Sequence, residues 1–585
     1  MLLVASQLAC PAGARRPTVA DSGAPTDSGA LESGSSSSVS GAEPVVVPSV
    51  ARPVSPLSGT IAWGRPPALR IASGSRGAVS VRAGDAAVVA GVDAVAAGEL
   101  RVELCRTRAC ESPRAVPVVG GVSSPPADLE PGLWFWRVRD ARAPAAPPAV
   151  WSFTQRPLVG AETRRLGDPD AAVRERAPST KASAQLAQLR GIDIDGDGLA
   201  DLVFRGAWLR GRRGGLREAA LEPLPIARCV PPPGTFGCFG HGAATAVGDA
   251  DGDGFGDVLV TTLVDKASAS GADAGQAPAG ESPVASVEVL RGGPHGLAAD
   301  RAPLRAPTAD AMCAPAVALG DVNGDGFADV ATCRLLLGSA TGLVPSAELP
   351  PTEQVFAAGD VDGDGFADVV VRERAGSALS VLYGSADGLA RRTKLLDAAV
   401  SGSARVVAAG DVDGDGLADI VVATVSTAAP SRHRVEISVY GGPDPAAKTP
   451  RVVAFSEVGE LEHDADLAVA DLDGDGFDDI VFIPPWSRRN GRIVLGSTGA
   501  LRIAPSTIEN PVKVRRPAVG ARSIGDIDGD GRDDLLVERV DELHGDPVFE
   551  VYLGAPGGLS RRPALELVQS SMSPMPVPLE RATAP

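Results

Sequence analysis

The sequence predicts an all-β protein, and three observations carry that prediction. Gly (69) and Pro (50) together make up about a fifth of the 585 residues, while aromatics are only 4%. That composition fits many short elements joined by turns, not one large aromatic core. A nine-residue acidic string, D-x-[DN]-G-D-G-x-x-D, recurs seven times, starting at Asp193, Asp249, Asp321, Asp360, Asp411, Asp471 and Asp526, at intervals of 39 to 72 residues. Each copy is entered by a small-residue strand such as VVAAGD and left by a β-branched run such as ADIVV. The net charge of −18 and a pI near 4.9 argue against nucleic acid as a partner. No apolar run approaches the roughly 18 residues that a membrane-spanning helix needs.

Residues 1–10, MLLVASQLAC, resemble the end of a bacterial lipoprotein signal, although no basic residue precedes the apolar run and Gln7 replaces the usual aliphatic residue. The resemblance implies lipidation at Cys10 and contact with a membrane only through that anchor. Residues 11–51 are Ser/Gly-rich without apolar periodicity and read as a disordered tether. Residues 52–157 hold four of the six tryptophans, and GLWFWRVRD (132–140) puts Trp134 and Trp136 on one face of a strand as core residues. The run PGLWFWRVRD…AVWSF resembles the last two strands of a fibronectin type III-like β-sandwich. Residues 158–184 read as a linker or a closing strand, and 573–585 as a disordered tail.

Residues 185–572 form the repeat array. Each unit reads as about four strands: one entering the acidic loop, one leaving it, one ending in a turn such as VLYGSADGL or LLLGSATGL, and a variable one. Small residues suit a crowded innermost strand, and continuous apolar runs suit a strand packed on both faces. Seven such units predict a seven-bladed β-propeller preceded by the β-sandwich. KASASGADAGQAPAGESP (266–283) falls in an exposed loop.

Four carboxylates in nine positions repel one another unless a cation neutralises them. Oxygens at positions 1, 3, 5 and 9 converge if the loop coils tightly, Gly at position 6 permits the turn, and position 7 offers its carbonyl. Six or seven oxygens suit Ca²⁺, and the absence of Cys and His argues against zinc or copper. Phe or Leu stands at position 7 in six copies and is expected beneath the loop. An EF-hand needs Glu at position 12, where this chain has Phe204, Val260, Thr332, Val371, Val422, Phe482 and Val537.

The loop is similar to the calcium loops of the integrin alpha-subunit propeller, and the array resembles the FG-GAP (VCBS-like) repeat family of bacterial surface proteins. The "FG…GAP" portion survives only as YGGP, LGSA or LGAP. The resemblance implies seven metal sites, each named here by its loop. The first is Asp193, Asp195, Asp197 and Asp201; the second, Asp249, Asp251, Asp253 and Asp257. The third is Asp321, Asn323, Asp325 and Asp329; the fourth, Asp360, Asp362, Asp364 and Asp368. The fifth is Asp411, Asp413, Asp415 and Asp419; the sixth, Asp471, Asp473, Asp475 and Asp479. The seventh is Asp526, Asp528, Asp530 and Asp534. About seven structural Ca²⁺ ions would bring the net charge to about −4.

Six cysteines fall into sequence-close pairs, Cys105 with Cys110, Cys229 with Cys238 and Cys313 with Cys333. They read as local disulfides of an oxidising compartment or as buried free thiols. The five histidines (His241, His295, His433, His463 and His544) are scattered and read as surface or turn residues, and no G-x-S-x-G elbow, P-loop or dinucleotide fingerprint is present. The expected function is therefore a non-catalytic binding or adhesion module for a protein or glycan at the cell envelope. A polysaccharide lyase or hydrolase acting at the channel mouth, and a purely architectural envelope protein, are the other readings.

Overall fold

A computed structural model describes residues 51–156, 173–177 and 192–569, apart from connecting segments of which 74–99, 226–240, 265–283 and 298–315 are the longest. Among the described residues every helical or strand element is a β-strand, and no helix is long and apolar enough to cross a membrane. Cys10, Cys229, Cys238, Cys313 and Cys333, the tether from 11 to 50 and the tail from 573 lie outside the described residues.

The first strand begins at Ala51, one residue inside the predicted tether. Residues 51–156 make two sheets. One orders Ala51–Ser55, Leu69–Ser73, Val122–Ser123 and Val118–Val119; the other orders Thr60–Trp63, Val150–Arg156, Gly132–Asp140, Leu100–Cys105 and Arg114–Val116. The alternation in GLWFWRVRD sends Trp134, Trp136 and Val138 into a core shared with Leu69 and Ile71 of the facing sheet. Trp136 and Trp151 meet edge to face there, their centroids 5.9 Å apart. Cys105 and Cys110 form a disulfide at the end of one strand.

Seven sheets follow, each carrying one acidic loop between its first two strands. The fifth is the longest, with Ser403–Gly410, Asp419–Ala429, Arg432–Tyr440 and Arg451–Val458 side by side in chain order and antiparallel throughout. The third, fourth and sixth repeat that four-stranded meander. The first and second show three strands among the described residues where four are predicted, and in the first the entering strand shrinks to a bridge between Ile192 and Asp201. The seventh gains a fifth strand, because Val173–Ala177 pairs parallel to Leu565–Gln569. The segment left open between linker and closing strand thus contributes a strand.

Apolar runs after each loop are buried on both sides. Val369, Val370 and Val371 are all 0% exposed although neighbours in a strand point to opposite faces. Val370 packs with Val407 and Ile420 of the next sheet, and Val369 and Val371 with Leu319 and Leu335 of the preceding one. The same sharing joins the ends of the array: Leu202 and Phe204 of the first sheet lie in one cluster with Leu536, Phe549 and Val551 of the seventh. This is a propeller arrangement of small meander sheets.

Candidate metal centres and the ring that joins them

All seven loops coil alike. In the fourth, Gly363 and Gly365 take φ of 76° and 85° and turn their amides inward. Gly363 N–H donates to Asp360 Oδ1 at 2.7 Å and Gly365 N–H to Asp360 Oδ2 at 2.9 Å. Position 9 is held from both sides: Val361 N–H donates to Asp368 Oδ2 at 2.8 Å, and Gly384 N–H to Asp368 Oδ1 at 2.9 Å. Gly384 opens the turn after the third strand. Its counterparts Gly211, Gly292, Gly338, Gly496 and Gly554 donate in the same way to Asp201, Asp257, Asp329, Asp479 and Asp534. Sequence reasoning saw these glycines only as turn residues; their constant place after the third strand was the available signal. The seven position-9 aspartates are between 0% and 2% exposed.

The coiling brings the sequence-predicted carboxylates together. Oxygens of Asp193, Asp195 and Asp197 lie within 4.8 Å of one another, as do those of Asp249, Asp251 and Asp257, of Asp360, Asp362 and Asp368, of Asp411, Asp413 and Asp419, and of Asp471, Asp473 and Asp475. In the third loop Asp321 accepts from Gly324 and Gly326, and Asn323 Nδ2 donates to Asp325 Oδ2 at 2.9 Å. In the seventh, Asp526 accepts from Gly529 and Gly531, and Asp534 from Ile527 and Gly554.

These clusters could hold a metal ion. Their donors are carboxylate oxygens, which suit a hard cation such as Ca²⁺. Asp249 Oδ1, Asp362 Oδ1, Asp413 Oδ1, Asp473 Oδ1 and Asp479 Oδ2 are buried without a hydrogen-bond partner, a costly state that a bound cation would relieve. Electrostatics agree. Burial, then repulsion from Asp364 and Asp362, pushes the Asp360 carboxyl up to about 8. Burial pushes Asp193 and Asp321 up to about 7, with their neighbouring aspartates adding.

Backbone bonds link each loop to the next. The position-8 N–H donates to the position-1 carbonyl of the preceding loop: Gly256 to Asp193, Ala328 to Asp249, Ala367 to Asp321, Ala418 to Asp360, Asp478 to Asp411 and Asp533 to Asp471, all at 2.7–2.9 Å. Ala200 N–H then donates to Asp526 O at 2.9 Å and closes the circle. In six of the sheets a parallel bond runs from the residue after the turn glycine to the position-2 carbonyl of the preceding loop, as in Arg212 to Ile527, Gly293 to Ile194 and Ala555 to Leu472.

The position-7 side chain is not beneath its own loop, as expected from the sequence, but against the position-4 glycine of the preceding one. A Cβ on Gly196 would stand 2.5 Å from Phe255, and one on Gly324 2.6 Å from Phe366. The join between sheets brings the next loop so close that the ring lands there. Gly324→Ala is therefore expected to cost about 3 kcal/mol, combining a left-handed φ of 72° with overpacking, read as a lower midpoint in denaturant. A midpoint within error of the parent would contradict the interlock.

The N-terminal sheets meet the second and third loops. Arg108, on the disulfide-closed turn, donates to Gly326 O at 3.2 Å and Asp325 O at 3.3 Å and lies 4.1 Å from the Phe327 ring centroid. Trp151 Nε1–H donates to Gly324 O at 3.3 Å. Two other groups escaped sequence reasoning. His433, expected at the surface or in a turn, is 4% exposed within a strand, its Nδ1 3.3 Å from Thr427 Oγ1. Its strand is flanked by neighbours on both edges, so alternation places it inside. Arg539, Glu550 and Tyr552 form a buried hydrogen-bonded group in the seventh sheet.

Residues 360–422 and 471–537 match the FG-GAP-like repeat family, each match running from position 1 of one loop to just beyond the next. No curated protein matches the chain. Among solved structures, a triple arginine-to-alanine mutant of AofleA from Arthrobotrys oligospora is similar, at 11% identity over 55% of this chain and 85% of that one, with a TM-score of 0.31. A quinonprotein alcohol dehydrogenase-like protein from Bacteroides thetaiotaomicron is similar at 9% identity over 81% of this chain and 89% of that one, with a TM-score of 0.29.

Proposed function

We propose that the chain is a calcium-stabilised, seven-bladed β-propeller at the cell surface, acting as a non-catalytic binding or adhesion module for a protein or glycan. The observation that carries this reading is the closed circle of seven acidic loops joined by backbone hydrogen bonds. Calcium in those loops would stiffen the ring and leave the variable outer strands and opposite loops free to differ, which is where a ligand would be recognised. The FG-GAP-like match and the lipoprotein-like start both favour the cell envelope, with Cys10 as the anchor.

The purified chain on a glycan array and on intact cells, in calcium and in chelator, tests this. Retention on a defined glycan or surface protein that chelator abolishes is the expected result. Turnover of a polysaccharide in a lyase or hydrolase screen would replace the module by an enzyme. Neither binding nor turnover would leave only an architectural role.

A further inference from the structure

The outer faces of the seven loops are not alike. At position 6 of the fifth, sixth and seventh loops, a Cβ on Gly416, Gly476 or Gly531 would meet nothing within 4 Å among the described residues. In the second and third loops the N-terminal sheets cover that position: a Cβ on Gly254 would collide with Leu133 and Phe135, and one on Gly326 with Val150 O. Arg108 fills the space between the two loops, its guanidinium against Gly252, on the carbonyls of Asp325 and Gly326 and over the Phe327 ring. Trp151 adds its N–H to Gly324 O. Arg210, Arg291, Arg391 and Arg451 also reach loops, but each comes from the repeat that holds the loop and pairs with its carboxylates. Arg108 comes from outside the ring and takes carbonyls instead.

We propose that the outer face of the second and third loops is the seat of the N-terminal sheets, and that calcium in these two loops clamps the sheets there. This rests on the calcium reading of the loops. The seat is the outside of the coil. In a trans peptide N–H and C=O point in opposite directions, so an amide turned inward presents its carbonyl outward. Asp325 N–H donates to Asp321 Oδ1 at 3.1 Å, Gly326 N–H to Asp321 Oδ2 at 2.7 Å, and Phe327 N–H to Asp325 Oδ1 at 3.0 Å. The carbonyls of those three peptides, on Gly324, Asp325 and Gly326, are the ones that Trp151 and Arg108 use. Ion and seat therefore share the coil without sharing a ligand, since the position-7 carbonyl faces the ion. Without a cation the carboxylates repel one another and loosen the coil, and the seat loosens with it. With Ca²⁺ bound, the four carboxylates of the second loop keep a net charge of −2 and the three of the third −1, so Arg108 is not repelled. Asn323 leaves the third loop one charge poorer than the other six, and ligand charge helps to set affinity, so this seat empties first as calcium falls.

The test is hydroxyl-radical footprinting of the full chain in millimolar calcium and in chelator, read by mass spectrometry. Leu133, Phe135 and Phe327 report the contact. Trp136 and Phe482, each 0% exposed, report whether the N-terminal sheets and the sixth sheet stay folded. The expected result is oxidation of the three contact residues at least about threefold faster in chelator, with Trp136 and Phe482 unchanged. Asp329→Asn, which removes a third-loop ligand, should give the same pattern in calcium, and Asp479→Asn in the sixth loop should not. Should chelator or Asp329→Asn expose the two cores, Arg108→Met in calcium decides, because it removes the guanidinium and no loop ligand. It should raise oxidation of Leu133 and Phe327 by a similar factor. Equal oxidation of the contact residues in calcium and chelator, equal responses to Asp329→Asn and Asp479→Asn, or full protection in Arg108→Met would overturn the clamp while leaving calcium binding intact. No calcium bound at millimolar concentration in equilibrium dialysis would remove the calcium reading itself.

Discussion

Chelation at neutral pH is expected to lower the melting temperature of the chain by roughly 15–25 °C. A ligand that binds only the folded state stabilises by about 2.7 kcal/mol when present at a hundredfold excess over its dissociation constant, and several loops would act together here. The loops lie on the part of the fold that joins one sheet to the next. Each loop lends its position-1 carbonyl to an amide of the following loop, and the circle closes from the seventh loop to the first. Loosening one loop therefore weakens two junctions as well as its own hairpin. The position-9 aspartates are the point of greatest cost, because each is buried and six of them also accept from the glycine that follows the third strand. Differential scanning calorimetry in calcium and in chelator reads the effect. A shift below a few degrees would mean that hydrogen bonds alone hold the loops and that no stabilising ion binds them.

Much of the site was legible because its chemistry is local. D-x-D-G-D-G-x-x-D places the donors, the turn and the following strand within twelve residues, so spacing alone brought the carboxylates together. Period-2 alternation likewise put Trp134 and Trp136 in the core. What could not be read depends on residues distant in sequence. The bond from Gly384 to Asp368 spans 16 residues, and the contact of Phe255 with Gly196 joins different repeats. Position 7 offered an apolar side chain but no direction, since its partner is set by how one sheet packs on the next. Arg210 and Arg291 look like surface arginines until the third strand brings them over the loop. His433 was misplaced for the same reason: burial in a strand depends on neighbours that its own segment does not show. The docking of Arg108 on the third loop crosses 218 positions and carries no motif.

The stabilising effect of calcium should also grow steeply with pH, and the metal-free protein should show the opposite trend. Burial raises Asp411 and Asp471 to about 6, Asp193 and Asp419 to about 7, and Asp249, Asp360 and Asp479 to about 8, against 3.8 for a free aspartate. In each case further aspartates of the loop add to the burial effect. Between about pH 4 and pH 8 the metal-free folded state therefore holds more protons than the unfolded chain. Stability must then fall as pH rises through that window, because each carboxyl is stabilised only while protonated. Calcium acts on the ionised form, so its apparent affinity rises over the same range as protons cease to compete. The melting-temperature difference between calcium and chelator should accordingly be small at pH 5 and largest near pH 8, with the chelated protein melting lower at each step. Melting curves at half-unit intervals from pH 5 to pH 8 would decide it. A chelated protein that grows more stable toward pH 8, or a calcium effect independent of pH, would show that the loop carboxylates are already ionised and paired without a metal. The buried oxygens without hydrogen-bond partners at Asp473 and Asp479 argue against that outcome, since an ionised carboxylate with an unmet oxygen in the interior is the costliest state open to these loops.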